Sequence, residues 1–218
     1  ESGRHNLCEN MRWPASHYHG GLAEFAYTGA TAVIHVTQAL GDEQAALLEP
    51  AAVNYRACTR FGKQPYHRAL VIGGGTIGLI CVAVLRALGC DRIGAVTKYQ
   101  QQTEMARRLG ATDVVQIGKA DPRKSLNELF PGGVDLAIDS VAAGPSVTMA
   151  LQHTTRAGKV VLVGGITKPL LTMFGPLVGR EIMMTGSNCY AYEDGKHDFE
   201  AVSDMMLNGT LDLHRLVT

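Results

Sequence analysis

The sequence predicts an α/β fold built on a doubly wound parallel sheet, and two observations carry that prediction. From Ala69 onward, short apolar runs alternate with segments of helical spacing, and parallel strands need such long connections between neighbours. The first of these runs, Ala69–Ile72, ends in the turn Gly73-x-Gly75-x-x-Gly78 and continues as the helix-like Leu79–Leu88. A chain of 218 residues is long enough to bury a core and to hold one or two domains.

Residues 1–20 are polar and irregular and contain Trp13-Pro14 with His5, His17 and His19. Gly20–Tyr27 reads as a short strand and Ala32–Val36 as another. Ala45, Leu48, Val53 and Ala57 recur at helical spacing, which predicts a helix over Asp42–Cys58. Strands follow at Ala69–Ile72, Ile93–Val96, Val114–Gln116, Leu136–Asp139, Lys159–Val163 and Ile182–Thr185. Helices fall between most of them, at Gly78–Leu88, Gln101–Leu109, Pro122–Leu129 and Ser146–Thr154. Asp198–Leu207 is a last amphipathic helix, with Asn208-Gly209 as its stop signal, and Thr210–Thr218 reads as extended.

Composition narrows the function. Basic and acidic residues balance at 20 each, so the chain advertises neither a nucleic-acid nor a membrane partner. No apolar run approaches the ~20 residues of a membrane span, and no secretory leader is expected. Five cysteines without close pairing suit a reducing compartment, and a cytoplasmic location is expected. The opening lacks Met and reads as the middle of a loop, so the chain is expected to be a fragment of a longer protein.

The glycine turn carries the chemistry. A turn without β-carbons lets a pyrophosphate approach a helix N-terminus, where unpaired N–H groups and the helix dipole favour anions. Gly73, Gly75, Thr76, Ile77 and Gly78 are therefore candidate dinucleotide contacts; the alternative is a glycine turn in an ordinary buried βα unit. In the NAD form of such a site an acid at the end of the second strand holds the ribose hydroxyls. Here that strand ends in Thr97-Lys98, and no acid follows until Glu104. A hydroxyl followed by a cation suits a 2′-phosphate, which predicts NADP over NAD with Thr97 and Lys98 as contacts. Farther along, Val134–Gly144 and Val160–Gly165 end strands in small residues, where a flat ring could rest on backbone. Val141, Val163, Gly164, Gly165 and Ser187 complete the candidate cofactor set. Asp139 reads either as a catalytic acid or as a satisfied strand-end residue. His19 reads either as a proton relay or as a surface histidine, and Tyr55-Arg56 is a weak candidate for the substrate pocket.

In order along the chain stand Gly3-Arg-His-Asn-Leu-Cys8, Gly20-Gly-Leu-Ala-Glu24, Leu48-Glu-Pro50, Val71–Gly78, Ala106–Ala111, Gly158–Gly164 and Gly209–Leu213. Together these resemble the zinc-dependent branch of the medium-chain dehydrogenase/reductase superfamily, the alcohol and polyol dehydrogenases. The resemblance implies a Rossmann dinucleotide-binding domain over residues 56–206. It also implies a remnant of a GroES-like β catalytic domain over 1–55 and the start of a return to that domain over 207–218. It implies zinc in the intact protein, a small alcohol or carbonyl substrate, and a homo-oligomer with Thr172–Val178 as a candidate interface loop.

Cys8 matches the last of four cysteines that hold a structural zinc in that family; the other three would precede Glu1. Glu49 matches a residue beside the catalytic zinc in the polyol dehydrogenase-like members, as ligand or as partner of the metal-bound water. The bottom-up alternative for Glu49 is a first-turn helix glutamate favoured by the dipole. The remaining family ligands also lie N-terminal of this chain. The chain is thus expected to bind dinucleotide without oxidising an alcohol by itself. A zinc-independent quinone or enoyl reductase, a methyltransferase and a non-catalytic cofactor-binding fragment are the rival readings.

Overall fold

The computed structural model of the chain describes residues 4–63, 65–119, 121–193 and 195–217; Gly3 of the first family motif and Thr218 of the final segment lie outside them. The strands β1 (Arg68–Ile72), β2 (Arg92–Thr97), β3 (Asp113–Gln116), β4 (Val134–Asp139), β5 (Thr154–Leu162) and β6 (Met183–Gly186) form one sheet in the order β3-β2-β1-β4-β5-β6. Every pairing is parallel. The chain winds outward from β1 in one direction and then returns past it to start β4. The switch point between β1 and β4 leaves a crevice at the carboxyl ends of the strands.

The helices are α1 (Asp42–Ala46), α2 (Leu48–Thr59), α3 (Thr76–Ala87), α4 (Gln100–Arg108), α5 (Pro122–Leu129), α6 (Gly144–His153), α7 (Gly175–Gly179) and α8 (Asp198–Leu207). Alternation along the strands separates two cores. Ala69, Val71, Leu136 and Ile138 meet residues of α2, α3 and α8 on one face. Leu70, Ile72 and Ala137 meet Leu126 of α5 and Val147 and Leu151 of α6 on the other. Helix α3 is buried continuously from Gly78 to Leu85 because the sheet lies on one side and α2 on the other, which explains its almost wholly apolar sequence. Between α2 and α3 the buried Asn54 accepts a hydrogen bond from the Cys81 thiol and donates one to the Pro50 carbonyl. The final segment is not extended: Leu211 and Leu213 are buried in the first core, and His214–Leu216 makes a 3₁₀ turn.

Three other expectations are corrected. Gly20–Tyr27 and Ala32–Val36 form no strands; among the described residues no segment pairs with them, and a lone strand has nothing to bond its N–H and C=O groups. Leu22, Phe25, Tyr27 and Val33 consequently stand exposed. The single helix expected over Asp42–Cys58 is broken at Leu47. Pro50 explains the break, since it has no N–H for the Ala46 carbonyl and its ring crowds that position. The hairpin of β7 (Tyr192–Glu193) and β8 (Lys196–His197) was not anticipated. It leads into α8, whose first turn His197 caps by accepting the Phe199 N–H at 3.2 Å.

Edge strand β3 is fastened by a fork: Arg92 Nε and Nη2 donate to the Asp113 carboxylate at 2.8 and 2.9 Å. Hydrogen bonding from Arg92 holds the Asp113 carboxyl below its ordinary range. Because the folded value is the lower one, this contribution is full above the unfolded value near ~4 and is lost as pH falls through the folded value. Asp113→Asn should lower stability at neutral pH by about 0.5–1 kcal/mol. The gap between its urea midpoint and that of the parent chain should shrink as the pH is lowered through the carboxylate range; a constant gap would rule the ion pair out as its source.

Candidate functional site

Two clefts open side by side at the carboxyl ends of the strands. The first, about 490 Å³, is bounded by the Gly73–Gly78 turn, the end of β2 and the loop after β4. It contains eight of the candidate cofactor contacts: Gly73, Gly75, Thr76, Ile77, Gly78, Thr97, Lys98 and Val141. The second, about 460 Å³, lies over the ends of β5 and β6 and contains the other four, Val163, Gly164, Gly165 and Ser187. Gly164 packs so closely on Ala142, next to Val141, that a Cβ on it would lie 2.6 Å from the Ala142 Cβ. That contact joins the two walls.

The turn is set by two glycines. Gly73 has φ +114°, a left-handed conformation, and a Cβ there would meet Ser140 Oγ at 2.3 Å. Ser140 Oγ in turn donates to the Ile72 carbonyl at 2.9 Å, tying the turn to the end of β4. At Gly78 a Cβ would lie 2.0 Å from the Gly73 carbonyl oxygen. The bare contact seats α3 directly over the turn, with its N-terminus at the cleft. Around the N-cap residue Gly75 a Cβ would meet no atom within 4 Å, so the backbone is open to an approaching group. The first N–H groups of α3 have no intrahelical acceptor, and the helix dipole adds a positive end. This cradle suits a pyrophosphate.

At the end of β2 the predicted pair divides. Thr97 is buried and its hydroxyl bonds to Thr103 Oγ1 at 2.6 Å, so it borders the cleft with its polar atom directed into the core. Lys98 is exposed, with Nζ 5.2 Å from the centre of the Tyr99 ring. The loop after β4 is held by Asp139, whose carboxylate accepts the N–H groups of Val141 and Ala142 at 2.8 and 3.2 Å and the Ser146 hydroxyl at 2.8 Å. Burial nevertheless raises its pKa, because desolvation outweighs those bonds. Asp139 is thus the satisfied strand-end residue of the two alternatives, shaping the loop that presents Val141.

In the second cleft Ser187 donates its backbone N–H to the Leu162 carbonyl at 2.9 Å. Among the described residues, its hydroxyl oxygen and Asn6 Oδ1 are buried without a protein partner. Such atoms are expected where a polar ligand completes the bonding. Asn6 and Asn188 exchange side chain-to-backbone bonds of 2.8 and 3.0 Å, fastening the start of the chain to the end of β6. Arg56 lines this cleft but is buried and ion-paired, its Nη1 lying 3.2 Å from Glu193 and 3.5 Å from Asp198. Tyr55 is buried beside it in the chain.

Glu49 lies in the first turn of α2, where burial raises its carboxyl pKa. Its charge bears on Cys189 and Tyr190, just beyond Ser187 and Asn188. Cys8 is exposed and unpaired. Among the described residues no three His, Cys, Asp or Glu side chains come together as a metal requires, so neither Glu49 nor Cys8 is part of a zinc centre made by these residues. His19 is exposed on a surface loop.

The sequence reading missed Tyr99, Gln102, Ile117 and Ser140 in the first cleft and Arg60 in the second. Ser140 stands in the quoted strand-end segment and could have been chosen. Gln102 carries no sequence signal, since it reaches the cleft by folding back from α4 over the end of β2.

A sequence model of the zinc-binding dehydrogenase family matches residues 76–208. The chain is 28% identical to a sorbitol dehydrogenase of Arabidopsis thaliana, with 99% of this chain and 60% of that protein aligned. The crystal structure of 2R,3R-butanediol dehydrogenase from Bacillus subtilis is 32% identical, with a TM-score of 0.74 over 84% of this chain and 51% of that one. A zinc-binding dehydrogenase of Sinorhizobium meliloti, crystallised with NADP, superposes with a TM-score of 0.87 at 24% identity, covering 96% of this chain and 61% of that one. That last likeness bears on the fold. The chain spans about three fifths of the length of the curated relatives it matches.

The two turn glycines should behave differently. Gly78→Ala forces a Cβ onto the Gly73 carbonyl and should cost about 1–3 kcal/mol in urea unfolding. Gly75→Ala, at ordinary φ and in open space, should change stability by less than ~1 kcal/mol. Equal losses would contradict the packing of the turn.

Proposed function

Because the chain belongs to the zinc-binding dehydrogenase family, we propose that it is the coenzyme-binding part of an NADP-preferring alcohol or polyol dehydrogenase. The reaction is hydride transfer between a nicotinamide cofactor and a small alcohol or carbonyl substrate. The observation that carries this reading is the pair of adjoining clefts. A glycine cradle at the N-terminus of α3 opens on one side to a strand end bearing Lys98 and no acid. On the other side it opens to the glycine-lined ends of β5 and β6. The sorbitol and butanediol dehydrogenases among the relatives support it.

The nicotinamide, when bound, supplies or accepts the hydride. The work of this chain is binding and orientation. The first turn of α3 would hold the pyrophosphate, and Lys98 would pair with the 2′-phosphate. Val141, Val163, Gly164 and Gly165 would provide a wall for the ring, and the Ser187 hydroxyl would be free to bond to it. Orientation of this kind contributes by holding the reacting carbon and the substrate together. Glu49 bears on Cys189 and Tyr190, just beyond Ser187, and a metal role for it would need donors beyond those described. Residues 56–206 are proposed as the dinucleotide-binding unit, with 1–55 and 207–218 belonging to the catalytic side.

Calorimetric titration of the 218-residue chain should show NADPH binding at least ~10-fold tighter than NADH, about 1.4 kcal/mol. Tighter NADH would overturn the cofactor preference, and binding of neither by folded protein would overturn the site. Gly75→Ala should weaken both dinucleotides while leaving the fold intact. The chain by itself should not oxidise alcohols; zinc-dependent oxidation of sorbitol or butanediol by it would refute that expectation.

A further inference from the structure

We propose that Gln102 is the residue that reads the 2′-phosphate, an inference that rests on the NADP reading above. Gln102 sits in the first turn of α4, and its Oε1 accepts the backbone N–H groups of Lys98 at 3.1 Å and Tyr99 at 3.2 Å. Two N–H donors converging on one atom fix which way the amide points, since the amide nitrogen cannot accept them. The nitrogen Nε2 is left without a protein acceptor among the described residues, at the wall of the first cleft.

Its position is between the two halves of the site. A Cβ on Gly74 would lie 2.9 Å from Gln102 Cβ and Oε1, so the side chain rests against the glycine turn at one end and the Lys98 loop at the other. A ribose running from a pyrophosphate at the turn toward the end of β2 must pass this point. Of the side chains at this point, Gln102 Nε2 and Lys98 Nζ are donors only, the Tyr99 hydroxyl can donate or accept, and the Thr97 hydroxyl is bonded to Thr103. Glu104, the nearest acid downstream, accepts from Gln100 Nε2 at 2.9 Å. Neither nitrogen can accept a hydrogen bond. Ribose hydroxyls need an acceptor for their protons, whereas a phosphate monoester takes only donors, so the two nitrogens match the phosphate.

Folding does not require the amide. A glutamate would accept the same two N–H groups equally well, and Glu serves this helix position as readily as Gln. What the amide adds is a neutral donor where a carboxylate would repel phosphate.

Gln102→Glu therefore separates the two roles. The variant should keep its thermal midpoint and bind NADH within ~3-fold of the parent, while NADPH weakens at least ~10-fold in calorimetric titration. Adenosine 2′,5′-bisphosphate should lose affinity in the same proportion and 5′-AMP should not. An unchanged NADPH-to-NADH ratio would make Gln102 purely structural and overturn the inference while leaving the cofactor site standing. If the parent chain prefers NADH or binds neither dinucleotide, the reading beneath the inference fails, and the inference with it. Should Gln102→Glu not fold, Gln102→Met, which lacks the donor, must still lose more NADPH than NADH affinity; an equal loss of both overturns the proposal.

Discussion

The contact of Gly78 with the carbonyl of Gly73 is the constraint on which the rest of the structure depends. No side chain fits between the start of α3 and the end of β1, since even a methyl group would lie 2.0 Å from that oxygen. The helix therefore begins on top of the strand it follows, and its axis points its unpaired N–H groups at the crevice. Seated there, α3 is covered by the sheet below and α2 above, which accounts for its apolar sequence from Leu79 to Leu85. The same contact places Ser140 against the turn, so β4 is pinned beside β1 and the crevice between them keeps its width.

Around that cradle, buried polar groups hold loops in place. Asp139 accepts two backbone N–H groups and a hydroxyl to shape the loop at Val141. Arg56 joins α2 to the β7–β8 hairpin and α8 through Glu193 and Asp198. Each of these residues could be taken for catalytic machinery from its type alone. The Asp139 carboxylate has both oxygens bonded, and Arg56 is held in place by its two carboxylate partners. Among the described residues, atoms with capacity to spare in the residues that line the clefts include Ser187 Oγ, Asn6 Oδ1, Gln102 Nε2 and Lys98 Nζ.

The central sheet was legible because its strands carry short apolar runs, and the helices between them show a period that local sequence fixes; the polar start of β5, Thr154–Gly158, lacks such a run and was not expected as strand. Pro122–Leu129 and Asp198–Leu207 match to the residue, since Asp121-Pro122 and Asn208-Gly209 are end signals with a steric cause. Gly20–Tyr27 and Ala32–Val36 failed for the opposite reason. Their patterns suit strands, but a strand exists only through its partner.

By itself the sequence determined the parallel α/β architecture, the glycine turn and the absence of an acid at the end of β2, because these depend on residue type and short-range spacing. Only the tertiary structure decided which polar atoms remain available. Thr97 and Lys98 are neighbours in the chain, yet strand alternation directs one hydroxyl into the core and leaves the ammonium in the cleft. Gln102, four residues beyond Lys98, comes back beside it because a helix turn reverses the chain there. Hydrogen-bond capacity is shared among groups brought together by folding, so it cannot be assigned to a residue until its partners are in place.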